Sequence, residues 1–405
     1  MRKSAFYALI DRGTVAGMIR QNPTPCYLYF LKIVEKRFAD LKACLPPGFK
    51  IHYALKANPN VQLIRTMKAL GAGADAASMG EIKSALACGI SSASIEFSGP
   101  GKTEQEILFA VNQGLGSINA ESLVELRKIA VLCKAVARKA RVGIRINTGH
   151  AVKAGLSMGG ETQFGIHERD VREALDYIQQ HDCLSFTGIH VHAGSQLLDA
   201  EAILANVAHI LELALRIDGW GVLAVNKSNF GGGWGVNYFQ NQQPLDMARL
   251  QSGLQQIFSD GRYHRLLQHA DVILEPGRFL AAECGLYAVR VLYAKQGLEK
   301  NFIITDGGMH QNYLLAGGMG QVIRRNFEID SIGSDEGASG SAKKYDIAGC
   351  LCTSQDLLAL DYAGDREIRE GDYILFFNSG AYGLTASPIH FLSHPPPQEI
   401  IVGAK

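Results

Sequence analysis

The sequence predicts an α/β chain: a parallel (β/α)8 barrel of the TIM type followed by a mostly-β domain. Three observations predict it. Short β-rich runs alternate with longer helical patterns eight times between residues 50 and 280. Polar and glycine-rich residues gather directly after these runs, on the face where barrels place their chemistry. After Arg278 the alternation stops, and strand-like runs follow one another without long helices between them. An open doubly wound sheet also gives βα repeats, but the count and the length of the region favour the barrel.

In chain order the strand-like runs cover 50–55, 72–77, 94–97, 117–119, 142–146, 186–192, 224–230 and 272–274. Helical patterns between them include 81–88, 104–113, 122–139, 168–180, 202–217 and 246–258. The first strand ends at Lys56 in YALKANPN, where an Asn-Pro turn follows at once. The second ends just after Asp75, and the third in Ser98-Gly99-Pro100-Gly101. The sixth ends in His192-Ala193-Gly194-Ser195-Gln196, the seventh in Gly231-Gly232-Gly233 and the eighth in Glu275-Pro276-Gly277-Arg278. Beyond the barrel, 287–293, 302–305 and 373–377 read as strands, and the polar, small-residue stretch 332–342 reads as a mobile loop. The expected domains are an N-terminal segment, 1–30, that packs with the β domain, the barrel, 31–280, and the β domain, 281–405.

Composition narrows the function classes. A chain of 405 residues exceeds one ordinary core. With 47% hydrophobic and 20% charged residues it is globular, and a formal charge of +1 gives no footprint for nucleic acid or anionic lipid. No apolar run is long enough to cross a bilayer. The N-terminal apolar run is cut short by Asp11 and Arg12, so no signal peptide is expected. Eight cysteines without regular spacing suggest reduced thiols in the cytoplasm. Cys350 and Cys352 stand too close for a CxxC metal pair, and no metal site is expected.

A lysine at the tip of an inner strand is costly unless its amine is needed, and a partly desolvated lysine adds readily to a carbonyl. Taken alone, Lys56 reads as a side chain snorkelling from a strand end. The rest of the rim changes that reading, because it offers every group that pyridoxal 5′-phosphate (PLP) requires. Gly231, Gly232 and Gly233 expose backbone to a phosphate, although a bare triple glycine also makes a tight turn. Glu275 can hold the pyridine nitrogen protonated, and Arg278 can contact the phosphate; a structural Glu–Arg pair is the alternative. The His192 imidazole can stack on the ring, and the Ser195 hydroxyl can reach the phosphate. His190 shares the face of His192 by strand alternation and is a pocket residue without an assigned role. Asp75 can steady Lys56 as a cation, or is simply a strand-end charge.

Together these residues resemble the PLP enzymes of the alanine-racemase fold, and within it the ornithine and diaminopimelate decarboxylase group. The strings YALKANPN, GADAASMGEI, HVHAGSQ, NFGGGWG, EPGRF, LCTSQD and GAYG occur in that group's order over nearly the whole chain. The resemblance implies that Lys56 carries the cofactor with Asp75 near it, and that His192 stacks on the ring. It implies that Ser195, Gly231, Gly232, Gly233, Arg278 and Tyr382 hold the phosphate, with Glu275 at the pyridine nitrogen and Gly277 among the cofactor-binding residues. It implies that Cys352 reaches the substrate from a partner subunit, so that a head-to-tail homodimer shares its active sites. The chemistry implied is α-decarboxylation of an amino acid, with Cys352 returning a proton to the α-carbon, with or without Lys56. A racemase and a non-catalytic PLP carrier are the rivals. Cys352 stands against the first, and the β domain with Tyr382 against the second.

One departure bears on the substrate. In relatives that act on free diamino acids, an acidic residue follows the cysteine; here Thr353 follows, and Asp356 is the first alternative acid. The strings FSGPGKT, TQFGI, GQVIRRN and ASPIHFLSHPPPQE are similar to those of a narrower subgroup that decarboxylates conjugated amino acids. Its members act on citryl-diaminopropionate or citryl-ornithine in siderophore assembly, or on carrier-protein-tethered glutamate in butirosin-type pathways; exosortase-associated decarboxylases share the strings. Diaminopimelate, ornithine or lysine as a free substrate is the alternative. Arg324 and Arg325 are candidates for meeting citrate or a carrier's phosphate arm, and a solvated charge pair is the plainer reading.

Overall fold

The computed structural model describes residues 1–148, 156–157, 162–239, 242–318, 324–334 and 343–403. The chain divides into two compact units. One comprises Glu35–Gly235 and Leu245–Leu280, the other Met1–Val34, Val236–Pro244 and Ala281–Lys405.

In the first unit, eight strands run β1 Phe49–Ala54, β2 Gly73–Ala76, β3 Ile95–Phe97, β4 Ser117–Ala120, β5 Ala140–Asn147, β6 Leu184–His190, β7 Lys227–Asn229 and β8 Asp271–Leu274. Each pairs in parallel with the next, and β8 pairs with β1. The sheet therefore closes, which excludes the doubly wound alternative. The main departures from the sequence expectation are at element ends. β6 stops at His190 rather than 192, and β7 pairs only over Lys227–Asn229 because Asn229 turns its side chain onto the N–H of Gly231. The helix expected over 122–139 ends at Ala135, since Ala137 adopts φ 50° and Arg138 N–H returns to the Cys133 carbonyl.

Helix starts in this unit follow local chemistry. Asn60, Ser78, Thr103, Ser122, Asp199 and Asp246 each accept a first-turn N–H, and Thr103 with Glu106 forms a reciprocal capping box. Beneath the rim, the strands join through polar side chains. Lys227 Nζ lies 2.5 Å from Glu96 Oε1, Asn119 Nδ2 donates to Glu96 Oε2 at 3.2 Å, and Ser117 Oγ donates to Asn119 Oδ1 at 3.0 Å. A buried charge is tolerable only when paired in this way. Gly143 makes the room, because a Cβ there would stand 2.3 Å from Asn119 Oδ1.

The second unit is built on a sheet with strand order Ile329–Ile332, Tyr373–Phe376, Gly285–Gln296, Asn301–Thr305, Lys344–Ala348 and Leu357–Ala363. Cys26–Phe30 joins it, antiparallel to the start of Gly285–Gln296 and parallel to Gln398–Val402. Phe6 packs edge-on against Phe30 and Phe377, at 5.2 Å from each ring centroid. The loop expected over 332–342 is corrected at its start, where Ile332 completes a strand; residues 335–342 lie outside the described residues. No helix among the described residues is long and apolar enough to cross a membrane.

Candidate active site

Lys56 sits in the short 3-10 turn that follows β1. The turn is locked from below. Buried Tyr53 donates its hydroxyl to the Asn58 carbonyl at 2.9 Å, Asn58 Oδ1 accepts Asn60 N–H at 3.0 Å, and Asn60 then caps the following helix. Lys56 Nζ lies 3.2 Å from Asp75 Oδ2; the lysine side chain is 45% exposed and the carboxylate 1%. The amine is thus held at the rim by an acid that itself sees almost no water. Burial and the nearby Glu275 charge push Asp75 above the usual carboxylate value, while Lys56 opposes them.

Glu275, one residue past β8, is buried between two donors. His190 Nε2 lies 3.0 Å from its Oε2, and Asn229 Nδ2 donates to its Oε1 at 2.6 Å. Burial opposes ionisation, but His190, Lys56 and Asn229 outweigh it and hold Glu275 well below the usual carboxylate range. A carboxylate has about four lone-pair directions. Two are used here, so an ionised acceptor remains for a further donor.

The loops after β6, β7 and β8 meet through the glycines. A Cβ on Gly232 would stand 2.2 Å from the Glu275 carbonyl, and one on Gly233 2.3 Å from that of Gly194. Gly231 N–H donates to Asn229 Oδ1 at 2.9 Å, and Gly232 N–H to His192 Nδ1 at 3.1 Å. Two of the three glycine N–H groups are therefore engaged within the loops themselves, and the triple glycine is dictated first by close packing. Burial, then the charges of Lys56 and Arg145, hold His192 well below its ordinary value. The ring is neutral near pH 7, and because Nδ1 accepts, Nε2 carries the proton. Gly277 closes the rim: a Cβ there would lie 3.0 Å from Ala57 Cβ, beside the Lys56 turn. Ser195 lies in a two-residue bridge with Leu156, and Arg278 opens a short helix.

The structure thus brings Lys56, Asp75, His192, Gly231, Gly232, Gly233, Glu275 and Gly277 together on one rim. Cys352 and Tyr382 belong to the other unit. There Cys352 is exposed, and Tyr382 takes φ 58°, a left-handed conformation uncommon for a non-glycine residue. Asp356 is not a spare acid. It is 3% exposed, and its two oxygens accept Met309 N–H at 2.6 Å and Leu351 N–H at 2.8 Å. The Arg324 guanidinium donates to the Leu357 carbonyl, so one of the two arginines has a structural bond, while Arg325 is exposed.

Residues 31–282 match the family model described as pyridoxal-dependent decarboxylase, pyridoxal binding domain. The chain belongs to this family. It is 34% identical over 396 residues to an L-glutamyl-BtrI acyl-carrier protein decarboxylase from Niallia circulans, covering 97% of this chain and 92% of that one. It is 31% identical over 389 residues to a diaminopimelate decarboxylase from Aquifex aeolicus, covering 94% and 86%. The crystal structure of Helicobacter pylori diaminopimelate decarboxylase complexed with L-lysine superposes with a TM-score of 0.86 at 30% identity, over 96% of this chain and 94% of that one. The protein is a PLP-dependent amino-acid decarboxylase, a carboxy-lyase with the architecture of the alanine-racemase fold.

The decarboxylase rim fits its cofactor. It offers an amine beside a buried acid, an ionised carboxylate with spare acceptor capacity and a neutral imidazole. Asp75 Oδ1 and His190 Nδ1 are buried with no hydrogen-bond partner among the described residues, as expected of a site shaped around a polar group. Two contributors escaped the sequence reading. Asn229 braces both Glu275 and Gly231, and His190 is the direct partner of Glu275 rather than a pocket residue without a role. A signal for Asn229 existed: a polar residue closing an inner strand, directly before the Phe230-Gly231 turn.

Proposed function

We propose that this decarboxylase removes the α-carboxylate from an amino acid whose distal end is already conjugated, either tethered to a carrier protein or joined to citrate. The observation that supports this most is the state of the loop around Cys352. Thr353 stands where relatives acting on free diamino acids have an acid, and the nearest alternative, Asp356, is buried, bound to two backbone N–H groups and walled in by the close approach of Gly308 and Gly349. The loop from 349 to 356 therefore has no accessible carboxylate to receive a distal ammonium. A conjugated substrate has an amide or ester there instead, which the Thr353 hydroxyl can meet. The carrier-tethered glutamyl substrate in the name of the Niallia circulans relative points the same way.

When bound, PLP supplies the electron sink for decarboxylation. In the proposed arrangement Lys56 anchors it and Asp75 keeps the released amine protonated. Ionised Glu275 keeps a proton on the ring nitrogen, with His190 and Asn229 fixing its orientation. Neutral His192 presents its flat face without adding charge. Ser195, Arg278 and the Gly231–Gly233 loop hold the phosphate, Gly277 lines the cofactor pocket, and Cys352 returns a proton to the α-carbon.

Carbon dioxide release from free ornithine, lysine and diaminopimelate should be compared with release from citryl-diaminopropionate, citryl-ornithine and carrier-bound glutamate. An unpaired buried ammonium costs several kcal/mol, so a conjugated substrate is expected to win in kcat/KM by roughly a thousandfold. A higher kcat/KM on any free diamino acid would sink the proposal. Cys352 is proposed to act in a partner subunit's site, in a homodimer. Mixing inactive Lys56→Ala and Cys352→Ala chains should then restore part of the activity, since each hybrid dimer holds one intact site. No recovery in verified heterodimers places both residues in one subunit's site.

A further inference from the structure

Three side chains distant in sequence converge in the second unit: His310, Cys350 and His394. Their ligand atoms all lie within 4.8 Å of one another. Cys350 Sγ is 4.0 Å from His394 Nε2, and the two imidazole centroids are 5.2 Å apart. His310 is fully buried, and neither of its ring nitrogens has a hydrogen-bond partner among the described residues. A buried imidazole with both nitrogens unsatisfied is a rare feature that calls for an occupant.

The surrounding backbone holds these groups in place. Asp356 grips the neighbours of two of them, Met309 N–H at 2.6 Å and Leu351 N–H at 2.8 Å. Cys350 N–H donates to the Gly307 carbonyl at 3.1 Å, which ties the same two loops again. Gln311, next to His310, donates its Nε2 to the Pro395 carbonyl at 3.1 Å, next to His394. Each ligand candidate thus sits beside a hydrogen bond joining its segment to another candidate's segment.

We propose that His310, Cys350 and His394 bind one divalent cation of the zinc class through two imidazole nitrogens and one thiolate, leaving a fourth position to water. Thiolate and imidazole select zinc over magnesium or calcium, which require oxygen ligands. Tetrahedral zinc at its usual bond lengths sets ligand atoms roughly 3.3–3.7 Å apart. The side chains therefore need to close by only about 1 Å. Cys350 releases its thiol proton to water on binding. Cys352 is two residues on and is not a ligand. The ion instead cross-links the loop that leads to Cys352, the loop at His310 and the turn at His394.

The test uses the PLP-loaded enzyme, stripped with a chelator, desalted and titrated with zinc against a chromophoric competitor. Cobalt serves as the spectroscopic probe. The wild type is expected to take one zinc per chain, to show a thiolate-to-cobalt charge-transfer band, and to gain thermal stability with zinc but not with magnesium. Cys350→Ser should lose the band, and both Cys350→Ser and His394→Ala should weaken zinc binding by roughly a hundredfold or more. Cys183→Ser, in the barrel unit, should change neither. His394 is near the surface, so its variant decides the matter if Cys350→Ser folds poorly. Failure of the wild type to bind zinc, or zinc binding that survives His394→Ala, would overturn the proposal. These readouts do not depend on which amino acid the enzyme decarboxylates.

Discussion

Lys56→Ala is expected to abolish covalent attachment of the cofactor and to lower turnover by roughly a thousandfold or more. Borohydride treatment should fix PLP to the wild type and not to the variant. Competing lysines in the barrel are already committed. Lys102 is 1% exposed and is held by Glu125 and two backbone carbonyls, and Lys227 is paired with Glu96. Lys56, by contrast, presents its amine at the rim. The fold should tolerate the change. Asp75 loses its cationic partner, but burial and Glu275 already raise it, so it takes up a proton instead of standing as a bare buried charge. Covalent fixation that persists in the variant would mean that another lysine is the anchor.

Glu275→Gln is expected to keep bound PLP and to lose roughly 10²- to 10³-fold in kcat, the scale of removing one preorganised electrostatic contact. A glutamine cannot stay ionised against a ring nitrogen, so the electron sink weakens while the phosphate contacts remain. The substitution is structurally mild. Its new NH2 group can face His190 if that ring moves its proton to Nδ1, which has no partner among the described residues. Asn229 still donates to the remaining oxygen. Arg278→Ala makes the contrast: it should weaken PLP affinity with less effect on kcat at saturating cofactor, because the charged phosphate contact proposed for it would be lost. Near-normal turnover by Glu275→Gln would remove the role assigned to that carboxylate.

Much of the barrel rim was legible residue by residue. Lys56, Asp75, His192 and Glu275 stand at or just past strand ends, and in a parallel barrel all such ends share one face. Chain position alone therefore groups them. Roles that depend on side chains crossing between strands were not legible. Asn229 and His190 matter because β6, β7 and β8 are neighbours and their ends lean on one carboxylate. Asp356 read as a spare acid, yet it is sequestered by two backbone N–H groups whose residues lie five and forty-seven positions away. The mostly-β unit was less legible than the barrel. Its strands are short and its pairings non-local, as when Cys26–Phe30 joins strands that begin at Gly285 and Gln398.

By itself the sequence determined the repeating strand–helix pattern, the helix starts, and which polar residues end up on one rim. Those properties are local: they follow from side-chain periodicity, from capping side chains and from turn chemistry within a few residues. Tertiary structure alone decided that the sheet closes, that Glu275 stays ionised between His190 and Asn229, and that the glycines serve loop packing as well as any phosphate. It alone assembled His310, Cys350 and His394, three residues with no shared motif. The reason is physical. Closure, burial and convergence are set by which strands and loops become neighbours, and no spacing along the chain encodes the distance between side chains that meet only after folding.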